Sequence, residues 1–377
     1  MYRGILLAKK SAVGPHTVTL IENIVNFLHV PYEFGSLILT FILGPPGAIF
    51  TQFICTRDVS EAISRTVFLF FGSSIPFLQG FLSLTLLALF FFYLLFMIQY
   101  MRQKLLNSED ELIPLILGGK EAFDEIYGVV SKSGPPLIFS FVILVLFFIQ
   151  NFSEVPDNFI VFCTDNLSYA FIGLSLPFWF FAFCTFVWVY IGSIRGLYSL
   201  GKNVILKNYH EDKMLGVKPI GSLSLSLTYT YFAGLIILLL IPMMLQPDAS
   251  IISYLVILSF CILIGIFMFF LPQYTIHKKM VEAKQREQRK LRRELFNAVS
   301  KMDDSERDIQ SDEDIKTVLR KMTAVMHVDL TRDEIDAIPT WPIDTEIINS
   351  LSRAAISVFL VILAQYIMRK VIGLIPS

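Results

Sequence analysis

The sequence predicts an all-α, polytopic integral membrane protein: about seven transmembrane helices with a small cytoplasmic helical module. Three observations carry this. Hydrophobic residues make up 54% of the 377 and charged residues 17%, with a mean hydropathy of +0.63, more apolar surface than a wetted exterior tolerates. The apolar residues gather into segments near the roughly 20 residues that a bilayer crossing needs. The loops between those segments separate by charge, as the positive-inside rule requires.

The segment 1–33 reads as cytoplasmic or interfacial. Its short apolar run precedes Lys9 and Lys10, the reverse of a cleavable signal, so insertion is expected from the first internal span. The main membrane domain is 34–274. Long apolar candidates fall at about 76–101, 135–152, 169–192, 223–245 and 251–274. The stretch 34–55 is apolar too, but Gly44-Pro45-Pro46-Gly47 interrupts it. Pro45 and Pro46 remove two backbone donors in succession. They mark a kink, either in a broken span or in a re-entrant segment shielded by protein. The last candidate, in 352–377, is cleanly apolar only from Ala354 to Met368, before Arg369 and Lys370.

The connection 102–134 carries Arg102, Lys104, Lys120 and Lys132, and 193–222 carries five positive residues. Neither 153–168 nor 246–250 carries any. This alternation puts the N-terminus and 275–351 inside, and 153–168 outside. The two Asn-x-Ser triplets, at Asn151 and Asn166, agree with that side.

The cytoplasmic module, 275–351, begins with a basic run. Residues 278–301 hold nine positive and three acidic residues and no Gly or Pro, so the helix is expected to continue out of the span before it, jogged at Pro272. Contact with anionic lipid headgroups is the first reading of this charge; helix pairing, including with a second copy of the chain, and binding of another anion are the alternatives. An acidic stretch, 303–314, follows. Ser311 with Asp314 has capping-box spacing, and Ile315, Val318, Leu319, Met322 and Met326 form a helical stripe. Thr331 and Glu334 suggest one more short helix, which Pro339 ends. These helices are too short for an independent core, so they should pack on each other, on the loops 102–134 and 193–222 or on a second copy.

IPTWPID, 338–344, links the module to the terminal span. Pro339 stops a helix, and Pro342 suits the first turn of the next. Asp344 fits that helix's cap or first turn. Trp341 fits the membrane–water interface. Pro339, Trp341, Pro342 and Asp344 form the candidate hinge or clamp. With HKKMVEAK at 277–284 after an apolar span, PTWPID at 339–344 resembles a group of prokaryotic integral membrane proteins without assigned function. The resemblance covers about the last hundred residues and implies no activity.

Catalysis or ion coupling within a bilayer relies on ionisable side chains inside spans, and the five long candidates have none in their interiors. Nucleotide-binding glycine patterns, HExxH and GxSxG are absent. The four cysteines and five histidines are dispersed; a bridge between Cys55 and Cys163 and a metal site among His210, Glu211, Asp212, His277 and His327 are minor alternatives. No catalytic residue, cofactor or metal is therefore expected, and the net charge of −1 gives no nucleic-acid bias. The polar run 223–231 and the aromatic residues Trp179, Trp188 and Tyr190 read as packing. The function expected is non-enzymatic, channel- or receptor-like, with cytoplasmic helices coupled to the last span. A small-molecule or lipid transporter and a scaffold subunit are the alternatives.

Overall fold

The computed structural model of the chain describes residues 18–71, 77–152, 167–207, 212, 214–245, 251–303, 322, 323, 326, 332, 335–343 and 345–372. These form helices, with no strand beyond a single antiparallel bridge between Ile116 and Val204 among them. Helices α1 (Leu20–Asn26), α2 (Tyr32–Leu43), α3 (Pro45–Thr56) and α4 (Val59–Phe71) lead to α5 (Phe77–Asn107). Short α6 (Glu109–Leu112) and α7 (Gly119–Gly128) precede α8 (Gly134–Phe152) and α9 (Leu167–Asn203). Then come α10 (Lys218–Leu245), α11 (Ile251–Asp303) and α12 (Thr345–Ile372).

Among the described residues four helical stretches are long and apolar enough to cross a bilayer: Gln79–Asn107, Gly173–Asn203, Lys218–Ile241 and Val256–Glu294. A fifth is reached if α2 and α3, whose axes meet at 41°, are one bent span. The expected count of seven is not supported. The apolar stretch of α8, Gly134–Ile149, is short, and the uncharged run of α12 between Arg353 and Arg369 is fifteen residues long. The lipid-like exterior is plain in the side chains: Phe34, Phe41, Ile138, Phe141, Phe260 and Phe267 are all exposed, which water would penalise.

The GPPG break has a local explanation. Gly44 is extended and Pro45 opens α3, where a missing N–H and a preset φ do no harm. The prolines therefore start a helix rather than damage one. The carbonyl of Leu43, left at the end of α2, accepts a hydrogen bond from Trp179 Nε1 at 2.8 Å. The indole also stacks on Phe91 with centroids 3.9 Å apart. Trp179 thus closes the break from α9, as an interior without water demands.

α10 packs against α5, α11 and α12, and α9 against α5, α8 and α11. The polar run of α10 supplies the joints. Ser224 Oγ donates to Phe269 O, Tyr229 OH to Ser350 O and Tyr231 OH to Cys261 O. Tyr93 OH donates to Thr230 O, and Tyr100 bonds Ser226. Thr228 and Thr230 return their hydroxyls to their own helix, to Ser224 O and Ser226 O. Each of these polar groups finds a partner within or between helices, as packing residues in an apolar layer should.

The basic connections meet at one end of the bundle. Leu117 N donates to Asn203 O and Ile205 N to Leu115 O, tying the loop after α5 to the loop after α9. Leu112, Leu115, Ile116, Val204, Leu215, Val217, Met280, Ile335 and Ile338 share one buried cluster. Ile335 and Ile338 therefore share a core with the two loops, while most of 304–334 lies outside the described residues. α1 belongs to the same cluster through Ile21 and Val25, so one of its faces is core while Leu20, Asn23 and Asn26 stay exposed. The expected helices around Ser311, Asp314 and 315–327, and the Thr331–Glu334 cap, lie mostly outside the described residues.

Candidate functional site

α11 runs 53 residues without a break, through Pro272. Beyond the buried Ile276 and Met280 this helix carries, on one face, polar residues with partners. His277, Met280, Lys284 and Gln288 recur at helical spacing and meet residues 335–342. Lys284 Nζ donates to Asp336 O at 2.6 Å and to Ile338 O at 3.1 Å. Gln288 Nε2 donates to Asp336 Oδ1 at 2.9 Å. His277 Nδ1 lies 2.6 Å from Thr340 O.

Trp341 completes this clamp. Its indole stacks on the His277 ring, centroids 4.0 Å apart and 16° from parallel. Phe270 meets it edge-on at 5.8 Å. It is half-buried and docked on helix α11, beyond the interfacial position its sequence suggests. Pro339 follows the turn closed by Ile338 N to Ile335 O, so it ends the short helical piece as expected. Pro342 is buried and precedes α12, which begins at Thr345; it is a packing residue outside the helix, not a first-turn residue. Asp344 lies outside the described residues. Pro45 and Pro46 are at the other break, in α3, and take no part here.

The clamp rests on α10 as well. A Cβ added to Gly221 would lie 2.4 Å from Pro342 O and 3.3 Å from Ile347 Cδ1. Alanine in place of glycine stabilises an ordinary helix by about 1 kcal/mol. Here the neighbour is a backbone oxygen, so the chain must move apart. Gly221→Ala is expected to destabilise by roughly 1–3 kcal/mol, the scale of overpacking. A melting temperature at or above the parent's, measured in detergent, sinks the docked arrangement.

Beside the clamp lies a cavity of about 690 Å³ between the 204–207 segment and α11, with Ile338 in its wall. Five cations line it, Lys207, Lys279, Lys284, Arg286 and Lys290, against Glu282 and Glu287. Lys290 is paired with Glu287 at 2.6 Å, and Lys279 Nζ donates to Val204 O at 3.1 Å.

Another polar site escaped the sequence. Glu22 and Arg102 form an ion pair, Nε to Oε2 at 2.8 Å, with side chains 1% and 11% exposed. Thr19 donates to Glu22 Oε2 from both its amide and its hydroxyl, at 2.9 and 2.8 Å. Each residue looks like an ordinary surface charge flanking a span, and they are 80 positions apart. The capping-box spacing of Thr19 and Glu22 was the one local signal.

Among the described residues no group of three His, Cys, Asp or Glu is placed to hold a metal. His277 is engaged by Trp341 and Thr340, and the Asp212 carboxylate accepts from Met214 N and Gly216 N. His210, Glu211 and His327 lie outside the described residues, as does Cys163. No protein-family model matches the chain, and comparisons with curated proteins and with solved structures find no significant match.

Proposed function

We propose that the chain is a non-enzymatic, multi-pass membrane protein of the channel- or receptor-like kind. In this reading the polar extension of α11 is coupled to α12 through residues 335–343. The observation that carries it is the clamp itself: one α11 face, from His277 to Gln288, holds the segment that leads directly into α12. A change in α11 cannot leave that segment's backbone undisturbed. The full count of seven spans belongs to the same proposal. α8 and α12 pack on long apolar helices and expose Ile138, Phe141, Ile356 and Leu360, which suits lipid. The basic end then faces the cytoplasm, where 278–301 meets anionic headgroups. A second copy of the chain would pack along the distal turns of α11, where Phe296 is exposed.

Ion flux in reconstituted vesicles tests the coupling. The parent is expected to conduct. His277→Leu removes the bond to Thr340 O and leaves a side chain under Trp341. It should change the flux by roughly 2- to 10-fold, the weight of one hydrogen bond of about 0.5–1.5 kcal/mol. Vesicles that stay tight rule out a channel, and a variant that conducts like the parent overturns the coupling.

A further inference from the structure

We propose that the basic cavity binds a phosphate ester, with Lys207 and Arg286 as its principal cations. The proposal deepens the coupling reading, because Ile338 of the clamp forms part of the wall. The cavity's charge is the starting point. Five cations surround it against two carboxylates, and one carboxylate is already spent on Lys290. The backbone carbonyls that receive Lys279 and Lys284 satisfy hydrogen bonds without cancelling charge. Lys207 and Arg286 have no carboxylate partner among the described residues. Like charges held around one hollow repel, and an anion entering it relieves that repulsion.

The shape narrows the anion. A volume of about 690 Å³ sits within the roughly 300–1,000 Å³ of small-molecule sites and leaves room beyond a bare phosphate. Leu206, Leu215, Ala283 and Ile338 line the cavity as well. The matching ligand carries both a phosphate and an organic body. An arginine fork suits the planar spread of phosphate oxygens, and lysines add point charges. Two sources share that chemistry: the headgroup of an anionic phospholipid, and a soluble phosphate ester. The place favours neither by itself, because Ile276 and Met280 are buried in the core while Arg286 and Lys290 are exposed.

Binding is measured on the full chain in neutral detergent with two probes, dioctanoyl phosphatidic acid and glycerol 3-phosphate. Lys207→Gln and Arg286→Gln should each weaken binding by about tenfold, the loss of one charge-assisted contact. Arg292→Gln and Arg293→Gln, which remove the same charge from the same helix outside the cavity, should leave affinity within about twofold. Melting temperatures without probe identify any variant that fails to fold; for such a variant Lys207→Arg, which keeps the charge, must bind like the parent. Binding of the lipid alone supports the site and assigns it to a headgroup. Comparable binding of glycerol 3-phosphate supports it and assigns it to a soluble ester. Absence of binding by both probes overturns the proposal. So does equal loss from the Arg292 and Arg293 variants, which would mean diffuse surface attraction. Affinity is read here without any flux, so a failed coupling reading leaves this result standing.

Discussion

Arg102→Ala is expected to lower the apparent melting temperature in detergent more than any change at a surface charge. The guanidinium is the counter-charge of a carboxylate whose side chain is 1% exposed. Removing it leaves the buried Glu22 carboxyl without its partner, and breaking such a pair typically destabilises by about 3–5 kcal/mol. Glu22→Ala should do the same from the other side. It also strips Thr19 of the acceptor for its amide and hydroxyl, loosening the start of α1. The double variant Glu22→Leu/Arg102→Leu separates the pair from its geometry: two apolar side chains of similar bulk should recover much of the loss. Controls are Arg65 and Glu61, an exposed pair at 2.6 Å, where substitution should change stability by less than about 1 kcal/mol. If Arg102→Ala melts like those controls, the pair is not buried in the folded protein and α1 is not core.

Trp341→Ala is expected to destabilise by about 2–3 kcal/mol, somewhat below the ~3–5 kcal/mol of a fully buried ring, because the indole is half-buried. The loss has three parts: the stack on His277, the edge contact with Phe270, and the space opened between α11 and the segment before α12. The neighbouring Pro339 and Pro342 resist collapse into that space. Trp188→Ala is the comparison. Trp188 also has a partner, its Nε1 donating to Val129 O at 3.1 Å, and so is more than one ring in a crowd of phenylalanines. Its loss should be smaller, because α9 stays joined to α8, α5 and α11 along its length. Thermal unfolding of both variants decides. If Trp188→Ala is the more damaging, the clamp contributes less than the bond between α9 and Val129.

The long spans were legible because a bilayer crossing imposes a length and a composition that few other elements share. The apolar segment expected at 76–101 falls on α5 from Phe77 onward, 223–245 lies within α10, and the run from 251 continues past Pro272 as foreseen. The clamp was half legible. Two prolines around a tryptophan mark a constrained segment, but nothing local says that its partner is His277, 64 positions earlier. Ile276, Met280, Leu291 and Leu295 are in step at helical spacing, but between Ala283 and Leu291 that stripe is lost, which by periodicity alone reads as a gap in the face. It is instead a face on which Lys284 and Gln288 bond to backbone and carboxylate oxygens, and apolar periodicity is blind to such contacts. The Glu22–Arg102 pair was illegible for the same reason, since a charge buried by a distant opposite charge has no pattern in sequence. The short module reads as too small for an independent core, which left packing on itself, on the basic loops or on a second copy all open; of its part beyond α11, Ile335 and Ile338 are seen to join the core that the loops share.

The unbroken length of α11 has a mechanical consequence. At 1.5 Å per residue its 53 residues form a rod of about 80 Å, and a hydrocarbon layer takes up only about 30 Å of it. α9 meets this rod where Gly201 faces Pro272 and Thr275, so closely that a Cβ there would lie 2.1 Å from Thr275 Oγ1. In the coupling proposed above, that contact would serve as a fulcrum with unequal arms. A one-degree tilt about it swings a point roughly 40 Å along the outer arm by about 0.7 Å. The clamp, gripping the rod within four turns of the fulcrum, moves only a fraction as far. Under that proposal a small rearrangement of the helices beside α12 would be geared up into a larger displacement at the distal tip of α11.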